Sequence, residues 1–281
     1  MRRLPSCRRE PGQNSCRRRI NSMPIVEFGE SRIHYALEGQ SGAPVLVFSN
    51  SLGANHSMWD PQAAEFRKRF RVLRYDTRGH GQSPVTPGPY SIEQLAKDVI
   101  ALLDALDLGR VHFCGLSMGG MIGMWLALNT PERLHRLVLS NTAAKIGTSE
   151  GWNARIEAVQ KNGMKSVASA ILERWFTPAF RQNAPETMAN ILKTLEETNR
   201  DGYVACCAAV RDLDCREQLN NIRTPTLVIA GAHDPATPPD GGRFLAQQIP
   251  GTRYVELNAA HLSNIEAQDR FNNELAAFLN P

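Results

Sequence analysis

At 281 residues, with 42% hydrophobic and 21% charged side chains, the chain can bury a full core and has the composition of an ordinary soluble globular protein. No apolar run approaches the ~20 residues that a membrane-spanning helix needs. The formal charge of +4 is misplaced for a nucleic-acid binder: residues 1–22 hold seven arginines and one acid, a net +6, which leaves −2 for everything after them.

Residues 1–22 have almost no apolar content and cannot fold alone, so they are read as a disordered basic tail. They lack a signal-peptide core and a convincing amphipathic period. Met23 stands just ahead of the first strand-like segment, so either a plain extension or a start assigned too early fits. The six cysteines show no metal spacing and no secreted framework, which suits a reduced, cytoplasmic protein. The seven histidines show neither H-E-x-x-H nor clustered ligand spacing, so no metal and no cofactor is expected.

Ile25 to Phe28 and Arg32 to Leu37 alternate apolar and polar residues around Gly29-Glu30, predicting a hairpin at a sheet edge. Pro44 to Phe48 is a continuous apolar run of the kind buried on both faces of a parallel sheet, followed by the loop Ser49-Asn50-Ser51-Leu52-Gly53-Ala54-Asn55. Met58 to Phe70 reads as a helix and Val72 to Tyr75 as a strand ending in Asp76-Thr77-Arg78-Gly79-His80-Gly81. Ser91 caps a helix through about Leu106, with Glu93 in its first turn. Val111 to Cys114 is the next strand, Met118 to Asn129 a helix, and Leu134 to Leu139 a strand. From about Ile146 to Arg216 no core strand is apparent, only helical segments. Alternation resumes with a strand at Thr226 to Ala230, a helix near Asp240 to Gln248, a strand at Arg253 to Leu257 and a last helix from about Asn264 to Leu279. The expectation is an α/β fold with a mostly parallel sheet flanked by helices. Its core is residues 23–145 and 217–281, and 146–216 form an inserted helical cap.

Gly115-Leu116-Ser117-Met118-Gly119 lies between a buried strand and a helix, which is the context a nucleophile elbow requires. The glycines give the sharp turn its clearance, and the helix N-terminus faces the charge that develops in acyl transfer. A serine hydroxyl needs a base, and the base needs an acid to fix its tautomer. His261 follows the strand ending at Leu257, Asp234 follows the strand ending at Ala230, and both therefore lie at the C-terminal sheet edge with Ser117. The order Ser117, Asp234, His261 is that of α/β-hydrolases. His233 is a rival base, but neighbours in sequence point apart. Asp212 and Asp214 follow no strand, Asn141 stands where some hydrolases place a displaced acid, and His80 reads as a turn residue. Two backbone amides must form an oxyanion hole. One should be Met118, beside the nucleophile, and the other Leu52, in the loop after Phe48.

Ser49-Asn50-Ser51-Leu52-Gly53, Arg74-Tyr75-Asp76-Thr77-Arg78-Gly79-His80-Gly81, Gly115-Leu116-Ser117-Met118-Gly119-Gly120, Arg174-Trp175-Phe176 and His261-Leu262-Ser263-Asn264-Ile265-Glu266 together resemble the 3-oxoadipate enol-lactonases of the α/β-hydrolase superfamily. The resemblance spans essentially residues 24–280. Elbow and triad are common to the superfamily, and the first and last of these segments point to the lactonase. Superfamily members more often carry His-Gly where Asn50-Ser51 stand. The resemblance implies hydrolysis of 3-oxoadipate enol-lactone to 3-oxoadipate in the β-ketoadipate route of aromatic degradation. It implies a small-molecule substrate, with no nucleic acid and no membrane as partner. That substrate carries a free carboxylate, for which Arg155 and Arg174 are candidate partners, with Trp152 and Trp175 as apolar walls. A carboxylesterase, a carbon–carbon bond hydrolase, a haloperoxidase-like enzyme and a non-catalytic ligand receptor are the alternatives.

Overall fold

The computed structural model describes residues 24–28 and 31–279. The basic tail 1–22 and the turn at 29–30 lie outside the described residues. Among the described residues eight strands form one sheet in the order β1-β2-β4-β3-β5-β6-β7-β8. They are β1 Ile25–Phe28, β2 Ser31–Glu38, β3 Val45–Ser49, β4 Arg71–Tyr75, β5 Val111–Leu116, β6 Leu134–Ser140, β7 Thr226–Gly231 and β8 Arg253–Leu257. β1 and β2 form the expected antiparallel hairpin, β2 runs antiparallel to β4, and from β4 through β8 every pairing is parallel. β5 and β7 are buried along their whole length, as strands covered on both faces of a parallel sheet are.

The helices are α1 Asp60–Phe66, α2 Ile92–Ala105, α3 Met118–Asn129, α4 Ser149–Asn162, α5 Lys165–Trp175, α6 Pro178–Asn183, α7 Pro185–Glu197, α8 Arg200–Asp212, α9 Pro239–Gln248, α10 Ser263–Glu266 and α11 Gln268–Leu279. The Ser91 hydroxyl accepts from the Gln94 amide and starts α2 as the sequence signals. α3 is apolar all round and buried on nearly every face, because it packs on the sheet beneath the elbow. α4 to α8 follow β6 with no strand between them, and the sheet resumes at β7.

Two helices differ from the sequence reading. The segment predicted from Met58 is a short 3-10 turn, His56–Trp59, followed by α1, which stops at Phe66. Beyond it the chain folds back so that Phe70 is buried too. The final helix is broken at Ala267, whose φ of −118° and ψ of 45° are not helical. The Glu266 carboxylate accepts from the amides of Ala260 (2.9 Å) and Thr177 (3.2 Å), so α10 stays with the loop that carries His261.

Candidate active site

β5 delivers Ser117 at φ 57° and ψ −115°, a backbone conformation that costs free energy and is held by its surroundings. The Ser117 amide donates to Ser140 O (3.0 Å), and Ser117 O accepts from the Thr142 hydroxyl (2.8 Å). A Cβ on Gly115 would lie 2.1 Å from Gly119 O, and one on Gly119 would lie 2.3 Å from Ser49 O. Both glycines are therefore needed for the strand, the helix and the neighbouring loop to meet.

That neighbouring loop is the one after β3. Gly119 donates to Asn50 O (3.0 Å), and Ala54 donates to Ser51 O (3.1 Å), closing a turn with Leu52 and Gly53 at its centre. Gly53 has φ 88°, which suits glycine at that position. Its amide donates to His80 Nε2 (3.0 Å), and burial pushes the His80 imidazole down to about 4, so it is a neutral acceptor at pH 7. Among the described residues the Leu52 amide has no hydrogen-bond partner. The Met118 amide, at the first position of α3, belongs to the helix donors that have no intrahelical acceptor. The Leu52 and Met118 amides are thus uncommitted among the described residues, and Leu52 lines the same cavity as Ser117.

Asp234 and His261 are both buried, with His261 Nδ1 2.8 Å from Asp234 Oδ2. Asp234 Oδ1 accepts from the amides of Ala236 (2.8 Å) and Thr237 (3.0 Å). Its Oδ2 accepts from the Thr237 hydroxyl (2.6 Å) and from Asn141 Nδ2 (3.0 Å). Burial works against ionisation, but His261 and the Thr237 donors outweigh it and hold the carboxyl below its ordinary range. An ionised Asp234 places the His261 proton on Nδ1 and leaves Nε2 as the base. Ser117 and His261 line one cavity.

That cavity, of about 200 Å³, is also lined by Ser51, Leu52, Trp152, Arg155, Arg174 and Trp175. The Arg155 guanidinium lies 4.9 Å from the Trp152 ring centroid. Arg174 sits on the rim, donating to Pro235 O (3.3 Å). Burial and the nearby Arg155 charge push the Arg174 guanidinium below its ordinary range. Neither arginine has a carboxylate within ion-pair distance among the described residues.

Three residues of the site have roles that sequence reasoning misses. Asn141 replaces an acid at the end of β6 but holds the acid that is present: besides Asp234 it donates to Ala260 O (3.1 Å) and accepts from Ser263 Oγ (2.6 Å). Thr237 grips Asp234, and its hydroxyl is 3.3 Å from His261 Nδ1. Tyr203, on α8, lines the cavity. The rivals lie elsewhere. His233 Nε2 is 2.8 Å from Asn258 Oδ1 and belongs to a different groove. Asp212 pairs with Arg211, and Asp214 with Arg216 and Lys145.

The fold also gathers His34, His56 and Asp76, whose ligand-type atoms lie within 4.8 Å of one another. Linear spacing gives no hint of this. Both imidazole Nδ1 atoms face the Asp76 carboxylate, at 2.9 Å and 2.7 Å, and the amides of His56 (2.8 Å) and Gln82 (2.9 Å) donate to it. Four donors already satisfy the carboxylate, so the cluster reads as a bracket tying β2 and the 50s loop to β4. Burial opposes its charge, but the two histidines and Gln82 hold it well below the usual carboxylate range. The linked stability is therefore fully present above the unfolded carboxyl value of about 4 and is lost as pH falls toward the depressed folded value. Asp76→Asn is expected to lower the unfolding free energy by about 2–4 kcal/mol. Urea denaturation at pH 7 reads this out, and a loss under about 0.5 kcal/mol would show that the bracket is dispensable.

A family model described as alpha/beta hydrolase fold matches residues 44–268. The chain is 43% identical to 3-oxoadipate enol-lactonase 2 of Acinetobacter baylyi over 92% of its own length and 98% of that protein's. It is 40% identical to 3-oxoadipate enol-lactonase 1 of the same organism, covering 90% of this chain and 94% of the relative. The crystal structure of the enol-lactonase from Burkholderia xenovorans LB400 superposes with a TM-score of 0.91 at 46% identity, covering 92% of this chain and all of that one. With its parallel sheet, its elbow serine and these relatives, the chain belongs to the α/β-hydrolase fold family, among the 3-oxoadipate enol-lactonases.

Proposed function

We propose that the protein hydrolyses 3-oxoadipate enol-lactone to 3-oxoadipate through an acyl-enzyme on Ser117. The observation that carries this reading is that one small cavity is lined by Ser117, His261 and two arginines that have no carboxylate partner among the described residues. A site of that kind favours an acyl substrate that is itself an anion. Its enol-lactonase relatives narrow the acyl group to a lactone. Residues 146–216 act as a cap over a core formed by 23–145 and 217–281. No helix among the described residues is long and apolar enough to cross a membrane, and we take the enzyme to work in the cytoplasm.

His261 Nε2 takes the Ser117 proton as Oγ attacks the lactone carbonyl carbon. The amides of Leu52 and Met118 hold the resulting oxyanion. When the tetrahedral intermediate collapses, the ring C–O bond breaks and the leaving oxygen departs as an enolate, which is protonated and becomes the ketone. Delocalisation makes it a good leaving group, so acylation places a light demand on the general acid. Water then attacks the acyl carbon, gives its proton to Nε2, and the Ser117 ester bond breaks as Nε2 returns a proton to Oγ.

Arg155 holds the remote carboxylate, with Trp152 and Trp175 as walls and Arg174 adding positive potential at the rim. Loss of enol-lactone absorbance tests the function directly. Lactone turnover well above that of simple aryl esters is the expected result, and far faster aryl ester turnover overturns the assignment. In Arg155→Leu, KM for the lactone should rise about 10- to 100-fold, the value of a hydrogen bond to a charged group, while a neutral aryl ester is affected far less. An equal loss on both substrates would remove Arg155 from carboxylate recognition.

A further inference from the structure

We propose that Ser51 is a positioning residue that holds the deacylating water between its own hydroxyl and His261 Nε2. The proposal rests on the acyl-enzyme reading above. Ser51 is 2% exposed, lines the same cavity as Ser117 and His261, and has its Oγ 3.4 Å from His261 Nε2. That separation is long for a direct hydrogen bond, yet it leaves a point about 2.8 Å from both atoms, where a water can touch each. Among the described residues the Ser51 hydroxyl has no other hydrogen-bond partner. Its backbone is committed separately: the amide faces Met58 Sδ at 3.5 Å and the carbonyl closes the turn that presents Leu52. The side chain is therefore not needed for the turn.

The chemistry of the second half-reaction gives the hydroxyl its task. In acylation Ser117 gives its proton to Nε2, but in the acyl-enzyme its oxygen is esterified and has no proton. Water must take that place and point a lone pair at the acyl carbon. One of its protons goes to Nε2, and Ser51 Oγ accepts the second, which fixes the rotation of the molecule about its first hydrogen bond. The water oxygen forms the new C–O bond, Nε2 receives the first proton, the bond to Ser117 Oγ breaks, and Nε2 passes the proton to Oγ. The second proton stays on the product carboxyl group and is lost to solvent.

Methanol has a single hydroxyl proton, which goes to Nε2 during attack, so it has none left for Ser51 Oγ to accept. Acetyl-enzyme formed from 4-nitrophenyl acetate in aqueous methanol should therefore partition toward methyl acetate about five- to tenfold more in Ser51→Ala and in Ser51→Gly than in the wild type, the equivalent of one neutral hydrogen bond. An unchanged methyl acetate to acetate ratio in either variant overturns the proposal. So does a gain of ethanol over methanol as large as that of methanol over water, because that would mark a larger cavity and nothing more. If the acetyl-enzyme never forms, the acyl-enzyme reading falls and takes this proposal with it. Failure to open the enol-lactone, with normal acetyl partition, would overturn the substrate and leave the role of Ser51 standing.

Discussion

Replacing Ser117 by alanine is expected to lower kcat for the enol-lactone by about 10⁵- to 10⁶-fold, the scale seen when the nucleophile of a serine hydrolase triad is removed. The fold should survive. The Ser117 side chain makes no capping bond to α3, and the residue's unusual backbone is held through its own amide and carbonyl, which bond to Ser140 and Thr142. Alanine keeps both. What it loses is the hydroxyl proposed to form the acyl bond, while the Leu52 and Met118 amides and Arg155, the groups proposed to bind substrate, remain. KM should therefore change much less than kcat, and a fluorophosphonate probe that labels the wild type should leave the variant unmarked. Residual turnover above about 1% of wild type, with an intact thermal transition, would mean that the chemistry does not pass through Ser117.

Much of this site was legible in the chain because its main parts sit at strand ends, and strand ends are what apolar periodicity locates. Gly115, Ser117 and Gly119 declare themselves by spacing, and the strand at Arg253 to Leu257 places His261 beside them without any knowledge of distances. Leu52 could be proposed for a related reason: a backbone donor depends on where the loop is, and the loop follows β3. The supporting contacts obey no such rule. Asn141 reaches Asp234 across 93 positions and Ser263 across 122. The contact between Ser51 and His261 spans 210. Nothing local to those residues specifies their partners. The same holds for Asp76, His34 and His56: the first two meet because β2 pairs with β4, and His56 arrives on the turn that follows the loop after β3. The break at Ala267 was hidden for a different reason. Its flanking sequence is helix-compatible throughout, and the contacts of Glu266 with Thr177 and Ala260, which accompany the separation of α10 from α11, are long-range or tertiary.

Asp234→Asn tests whether that surrounding network sets the protonation state of the base. The two carboxylate oxygens of Asp234 are not equivalent. Oδ1 faces two backbone amides, those of Ala236 and Thr237, which cannot turn away or become acceptors. An asparagine must therefore put its oxygen there and its NH₂ group where Oδ2 was, against His261 Nδ1. The opposite rotamer would set NH₂ against two fixed N–H groups, leaving buried donors unpaired at about 1–3 kcal/mol each. In the favoured rotamer the amide donates to Nδ1, so the imidazole carries its proton on Nε2 and cannot accept the Ser117 proton. The NH₂ group would also meet Asn141 Nδ2, another donor, which adds to the bias against a tight network. The expected result is a fall in kcat of about 10⁴-fold at pH 7 with KM much less affected, the magnitude that a wrong tautomer imposes in serine hydrolases. Steady-state kinetics on the enol-lactone measures it, with the thermal transition as a check on folding. A loss under about tenfold would show that His261 keeps its working tautomer without an anion at Asp234, and that the acid must be sought elsewhere along the sheet edge.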